Sequence, residues 1–359
     1  YKIMPKKNIN PLNGVSTLDL LMIQRHILGV QSLNSPYKII AADINKSNDI
    51  SSVDLVELRK LILGIYDGFQ DNESWRFVPS TYKFKNNSNP FDGGFTEYQA
   101  LTPFNTSVTA DFVGIKVGDV NGTVTPNQLL GGEVRSLDKE VVFNTNEQKY
   151  RVNELVKVPV YADQSDINGY QFTISFDTKS LQFVQIQPMA KEMTEANFGT
   201  QQAAKGMITT SFATVHGIQP SALPLFILTL KAIKEGALSE SIYFNSKLTP
   251  AEAYNQTNEI LGVRLNVNNG SGKTISLRQN SPNPFIDQTR IGFTLPDGGA
   301  ADVKVFDING RVVKSIRGNY QKGYNEIIIH KNELNASGIY YYQLQSNGFT
   351  ASKKMILIK

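Results

Sequence analysis

The residues best suited to chemistry are oxygen donors spaced between Asp43 and Asp54. Counted from Asp43 as position one, Asn45 is third, Ser47 fifth, Asp49 seventh, Ser51 ninth and Asp54 twelfth. A hard cation takes six to eight oxygens, and a loop supplies them when alternate residues turn inward and position twelve reaches back from the first turn of a helix. Asn48 holds the sixth position, where the turn needs a left-handed backbone that Asn tolerates. A plain Asp/Asn/Ser turn leading into an N-capped helix is the alternative. Calcium is the favoured reading, because the loop and its helix occur twice.

Residues 8 to 30 and 43 to 65 superpose at an offset of 35: Asn10 on Asn45, Ser16 on Ser51, Asp19 on Asp54, and Ile27-Leu28-Gly29 on Ile62-Leu63-Gly64. Each copy runs from a polar loop into a short amphipathic helix, with Leu55, Leu58 and Ile62 on one face and Gly at the cap. In the first copy Asn8, Asn10, Ser16 and Asp19 fit the donor pattern. Leu12 takes the fifth position and position one is neutral, so one carboxylate remains, and tight, self-contained calcium is not expected there. Asp119 and Asn121, in DVNG, read as an ordinary Asn-Gly turn. The alternative is that this turn lends the first loop its missing carboxylate across space.

A duplicated loop-helix unit over residues 8 to 66 resembles a dockerin, a calcium-dependent docking module. The resemblance implies that loop positions ten and eleven and later basic residues face a partner. Here these are Thr17, Leu18 and Arg25 in the first copy, and Ser52, Val53, Arg59 and Lys60 in the second. Leu12 departs from the pattern and weakens the symmetry between the two sites.

At 359 residues the chain suits two to four domains, and 40% hydrophobic with 10% aromatic residues is enough for packed cores. The reading is multidomain and mainly β. It comprises a dockerin-like helical unit (1–66), an irregular wrapping segment (67–139), an antiparallel sandwich (140–267), a linker (268–274) and a small Ig/fibronectin-like sandwich (275–359). A net charge of +4, with Lys and Arg scattered, does not indicate nucleic acid. The absence of Cys removes disulfides, thiolate metal sites and thiol nucleophiles. No apolar run approaches the roughly 20 residues that span a bilayer. The opening YKIMPKKNINPL has charge without an apolar stretch, so an exported chain is expected to be the C-terminal part of something longer. Trp75 is expected to anchor the wrapping segment.

Between 140 and 267 short strands alternate with turns: 141–144, 155–162, 169–177, 181–188, 207–214, 224–233 and 259–267. In GYQFTISFD, Tyr170, Phe172, Ile174 and Phe176 share one face, which is core. The order VKVPVYA, NGYQFTISFD, LQF and LFILTLKA resembles a cohesin domain.

Beyond the NNGSGK linker, six strands are separated by Gly turns. SPNPF, VFDINGR, SGIYYYQL and the terminal KKMILIK look like the C-terminal sorting domain of type IX secretion substrates. Its motif residues here are Pro282, Asn283, Pro284, Phe285, Gly310, Gly338, Tyr340, Lys353 and Lys354. That resemblance implies the type IX outer-membrane translocon and its shuttle and attachment proteins as partners, with export to the exterior or surface of a Gram-negative cell.

An enzyme has little support, because His26, His216 and His330 fall in three different units without triad or metal-ligand company. The expected function is a non-catalytic C-terminal module of a large secreted or surface protein. Its dockerin-like and cohesin-like parts are expected to pack together within the chain, since tethering raises effective concentration to the millimolar range. The alternative is a glycan-binding or cellulosome-like scaffold module that recruits partners in trans.

Overall fold

The protein is described by a computed structural model. The described residues are 1–101, 109–126, 139–162, 167–218, 223–268, 275–280, 282–295, 298–320 and 323–358. The expected linker falls almost wholly outside them, as do Ser281 of the SPNPF motif and Lys359.

The duplicated helices are α1 (Thr17–Ile27) and, after a short α2 (Pro36–Ala42), α3 (Ser52–Ile62). Both long helices begin with the same capping box. The Ser16 and Ser51 hydroxyls accept the N–H two residues on, and Asp19 and Asp54 reach back to the Ser backbone. Both end at a left-handed Gly, Gly29 at φ 68° and Gly64 at φ 67°, whose following residue bonds back to Arg25 or Lys60.

In the described part of the segment after α3, two short strands pack against the helices. Trp75–Pro79 and Phe112–Lys116 pair antiparallel, and Val78, Ile115, Val117 and Val120 share one core with Leu20, Ile23, Ile40, Leu58 and Ile62. Two repeated helices present a narrow apolar face, and the strand pair closes it. Trp75 is buried on this pair with the Lys7 ammonium over its ring.

The sandwich is built as its alternation requires. In Leu155–Ala162, Val156, Val158 and Val160 point inward while Leu155 and Lys157 are exposed. Glu140–Asn146 runs parallel to Ile260–Asn268 and also pairs with Leu155–Ala162, joining the two layers around Phe143, Phe172, Phe226 and Leu228. Gly169–Phe176 departs from the expected single core face, for all eight of its residues are buried. Tyr170, Phe172, Ile174 and Phe176 enter the core, while the opposite face, with Gln171, is covered by the helical unit.

The last unit has its own core around Phe285, Phe293, Val303, Tyr342 and Met355. A four-stranded sheet, ending at Phe349–Leu357, faces a three-stranded one. Among the described residues no helix is long and apolar enough to cross a membrane.

Candidate functional site

The second loop folds around its two end carboxylates. Asp43 caps α2, and its oxygens accept the Ser47 N–H at 2.8 Å and the Asn48 N–H at 3.1 Å. Asp54 lies fully buried in the first turn of α3 and accepts the Ile44, Asn45 and Ser51 N–H groups. Asn45 Oδ1 accepts the Ser47 N–H, and Ser47 Oγ donates to the Asp49 carbonyl. Asn48 has φ 64°, the left-handed turn expected of it.

Among the described residues no group of three or more Asp, Glu, His or Cys gathers as a metal cluster. A cation at this loop would therefore draw on amide, hydroxyl and carbonyl oxygens as well as carboxylates, and those hard donors suit calcium. Arg76 holds Asp43 Oδ2 at 3.5 Å and Glu97 at 2.9 Å, an outer partner for the position-one carboxylate. Burial raises the Asp43 pKa, opposed by the Asn48 N–H and Arg76.

The first loop differs from its expected composition. Asn8 Oδ1 is engaged elsewhere, accepting from the Ser74 N–H and hydroxyl. Asn10 lies at φ 51° in the turn before Asn13, its carbonyl accepting the Asn13 N–H. The structure instead brings the DVNG turn to Asp19, whose Oδ1 accepts the Val120 N–H at 2.9 Å and the Asn121 N–H at 3.1 Å. Burial, and next the neighbouring Asp119 charge, push the Asp19 pKa up to about 7 against the pull of those N–H groups. Lys116, buried beside them, falls to about 8 through desolvation, with both carboxylates opposing.

The expected partner-facing residues divide between the repeats. In the first, the Thr17 N–H donates to Gln171 Oε1 at 2.7 Å and its hydroxyl meets the Ser211 hydroxyl at 2.7 Å. Leu18 and Leu21 pack with Ala213 and Tyr254, and Arg25 donates to Asn258 Oδ1 at 2.7 Å. From the other helix the C-terminus meets the sandwich, where Thr249 and Thr209 donate to the Ile62 and Leu63 carbonyls. These two carbonyls are free at a helix end and need outside donors. Ser52 and Val53 are exposed, Lys60 donates to the Tyr66 hydroxyl, and Arg59 is half-buried.

Sequence reasoning did not single out the sandwich side of this contact: Gln171, Thr209, Ser211, Thr249, Tyr254 and Asn258. Its only signal was a polar face alternating with core residues, which is also what a solvent-facing sheet shows.

In the last unit the motif residues clasp the final strand. Phe285 is buried and bonds through both backbone groups to Ile356 and Ile358, while Asn283 Oδ1 accepts the Ile356 N–H. The Asn283–Pro284 peptide is cis. Pro282 is exposed, its carbonyl accepting the Thr289 hydroxyl at 2.8 Å. Gly310 lies at φ 77° in the turn closed on Asp307, Gly338 starts a strand, and the Tyr340 hydroxyl donates to the Ala336 carbonyl at 2.6 Å. Lys353 and Lys354 sit on Phe349–Leu357, the edge strand.

Residues 12–63 match the dockerin type I domain, 140–268 the cohesin domain and 280–359 the secretion system C-terminal sorting domain. Three families follow one another on this chain. All three are non-catalytic, and dockerin type I domains as a family bind calcium. The chain is similar to a type I cohesin–dockerin complex from Clostridium thermocellum, at 15% identity over 38% of this chain and 94% of that one, with a TM-score of 0.30. It is also similar to a non-cellulosomal cohesin from Archaeoglobus fulgidus, at 14% identity over 36% and 94% of the two chains, with a TM-score of 0.26. A type II cohesin domain from the cellulosome of Acetivibrio cellulolyticus gives 15% identity, 36% and 92% coverage and a TM-score of 0.28. No curated protein matches the chain. The sorting domain indicates a secreted or cell-surface protein.

Proposed function

We propose that this chain is the non-catalytic end of a larger secreted surface protein. Its sorting domain directs type IX export and surface attachment, and its dockerin-like and cohesin-like units pair within the chain, braced by calcium. The observation that carries the pairing is the burial of Thr17, Leu18, Leu21 and Arg25 against the Gly169–Phe176 and Met207–Ala213 strands and the loop at Asn258. A helix N-terminus whose first N–H is met by Gln171, and a C-terminus whose last carbonyls are met by Thr249 and Thr209, are ends satisfied by the partner sheet.

Cutting the chain at a protease site placed near Glu133, outside the described residues, tests this reading. The two halves are expected to co-elute in calcium. Clean separation with and without calcium defeats internal pairing. Export is tested separately, for a chain ending at residue 273 should remain inside the cell.

A second reading, recruitment of a partner in trans, draws on the exposed Ser52, Val53 and Val56 of the second repeat. Binding of a second chain that survives disruption of the Thr17 contact, and is lost on substituting Val53, would favour it.

A further inference from the structure

We propose that the first cation loop is complete but cut in two: Asp119 to Val124 form its first half, Gly14 to Asp19 its second, and together they take one calcium ion. This rests on the calcium reading of the second loop and departs from a contiguous twelve-residue loop. The assignment comes from matching hydrogen bonds one by one. In the second loop the position-one carboxylate of Asp43 accepts the fifth and sixth N–H groups, those of Ser47 and Asn48. Asp119 accepts those of Thr123 at 3.2 Å and Val124 at 2.8 Å, with Gly122 at 2.7 Å besides. Asn45 Oδ1 accepts the Ser47 N–H, and Asn121 Oδ1 accepts the Thr123 N–H.

The twelfth residue repeats the pattern. Asp54 accepts the N–H groups of positions two, three and nine (Ile44, Asn45 and Ser51), and Asp19 accepts those of Val120, Asn121 and Ser16. The join between halves matches too. Ser47 Oγ donates to the Asp49 carbonyl within one loop, and Thr123 Oγ1 donates to the Gly14 carbonyl across 109 positions. Position four is left-handed in both, Lys46 at φ 59° and Gly122 at φ 80°. Position seven is Gly14, where an added Cβ would stand 2.6 Å from the Val124 backbone and 2.9 Å from Asp119 Oδ2, so that cradle has no room for a side chain.

The donor set fits a hard divalent cation: two carboxylates, the Asn121 amide oxygen, the Thr123 hydroxyl and the Gly14 carbonyl. Asp19 and Asp119 both accept N–H groups of the same turn, and the nearby Lys116 ammonium donates to the Pro11 and Val117 carbonyls, at 2.6 and 2.9 Å. The expected ligands Asn8 and Asn10 have no place in this set. Asp119 and Asn121 replace them, with Thr123 added.

Calcium titration by calorimetry on the chelator-stripped full chain tests the proposal. The unaltered chain is expected to bind two calcium ions, and Asp43→Asn and Asp119→Asn one each. Asp119→Asn keeps an acceptor for the turn, and circular dichroism checks that its helices persist. Asn121→Ala, which keeps the backbone N–H that Asp19 accepts, is expected to weaken one site and leave the other. Asn8→Ala should retain both. Two undiminished sites in Asp119→Asn and Asn121→Ala, or loss of a site in Asn8→Ala, overturns the split loop. A single site in the unaltered chain, abolished by Asp43→Asn, overturns it while the second-loop reading stands. No binding at all sinks both.

Discussion

Asp54 and Asp19 each collect three backbone N–H groups at the start of a helix while fully buried. Truncating either strands those donors, at a cost of about 1–3 kcal/mol. Asp54→Ala is therefore expected to lower the unfolding midpoint of the helical unit in urea even in chelator, with a further loss when calcium is supplied to the unaltered chain for comparison. In the sorting domain the Tyr342 hydroxyl donates to the Arg278 carbonyl and accepts the Asn280 N–H. Tyr342→Phe is expected to cost about 1–3 kcal/mol, read by denaturation of that domain. The Asp43 to Asp54 spacing was legible from sequence because all its donors lie within one turn of chain. The first loop was legible only in part: the DVNG turn entered as an alternative to an ordinary Asn-Gly turn, because Asp19 and the N–H groups it holds there stand 101 and 102 positions apart. A linear count puts Asn8 at position one, the place the split loop gives to Asp119.

The elements explain what the residues alone left open. Periodicity located α1 and α3 and most long strands to within a few residues, since alternating or 3.6-spaced burial sets both. It missed α2, whose seven residues carry too short a pattern, and it read residues 67 to 139 as an irregular wrapping segment with short strands, without their place in a core. The Trp75–Pro79 and Phe112–Lys116 strands instead complete the helical core, so Val78→Ala is expected to loosen α1 and α3 together. Amide exchange of both helices should rise by a comparable factor, which a peripheral strand pair would not produce. The polar face of Gly169–Phe176 was unreadable for a different reason: alternation tells which residues leave the core and not what covers them. Gly199 tests that cover. A Cβ there would stand 2.6 Å from the Leu63 carbonyl, so Gly199→Val should push the end of α3 off the sheet and lower affinity between the separated halves.

For the molecule as a whole, the separate cores of the helical unit and the sorting domain predict separate responses. The proposed calcium sites lie in the folded helical unit, and a ligand at a hundred times its Kd adds about 2.7 kcal/mol. Chelation should shift the calorimetric transition of that unit and leave the sorting domain's transition, whose core includes no residue of either loop, in place. The chain's pairing admits a sharper test because it contains no cysteine. The Thr17 and Ser211 hydroxyl oxygens lie 2.7 Å apart across the helix–sandwich contact. A Thr17→Cys, Ser211→Cys double variant, purified without reductant, should therefore lose both titratable thiols while running as a monomer. Two free thiols in the monomer, or a disulfide-linked dimer, would contradict a dockerin-like unit seated on its own chain's sandwich.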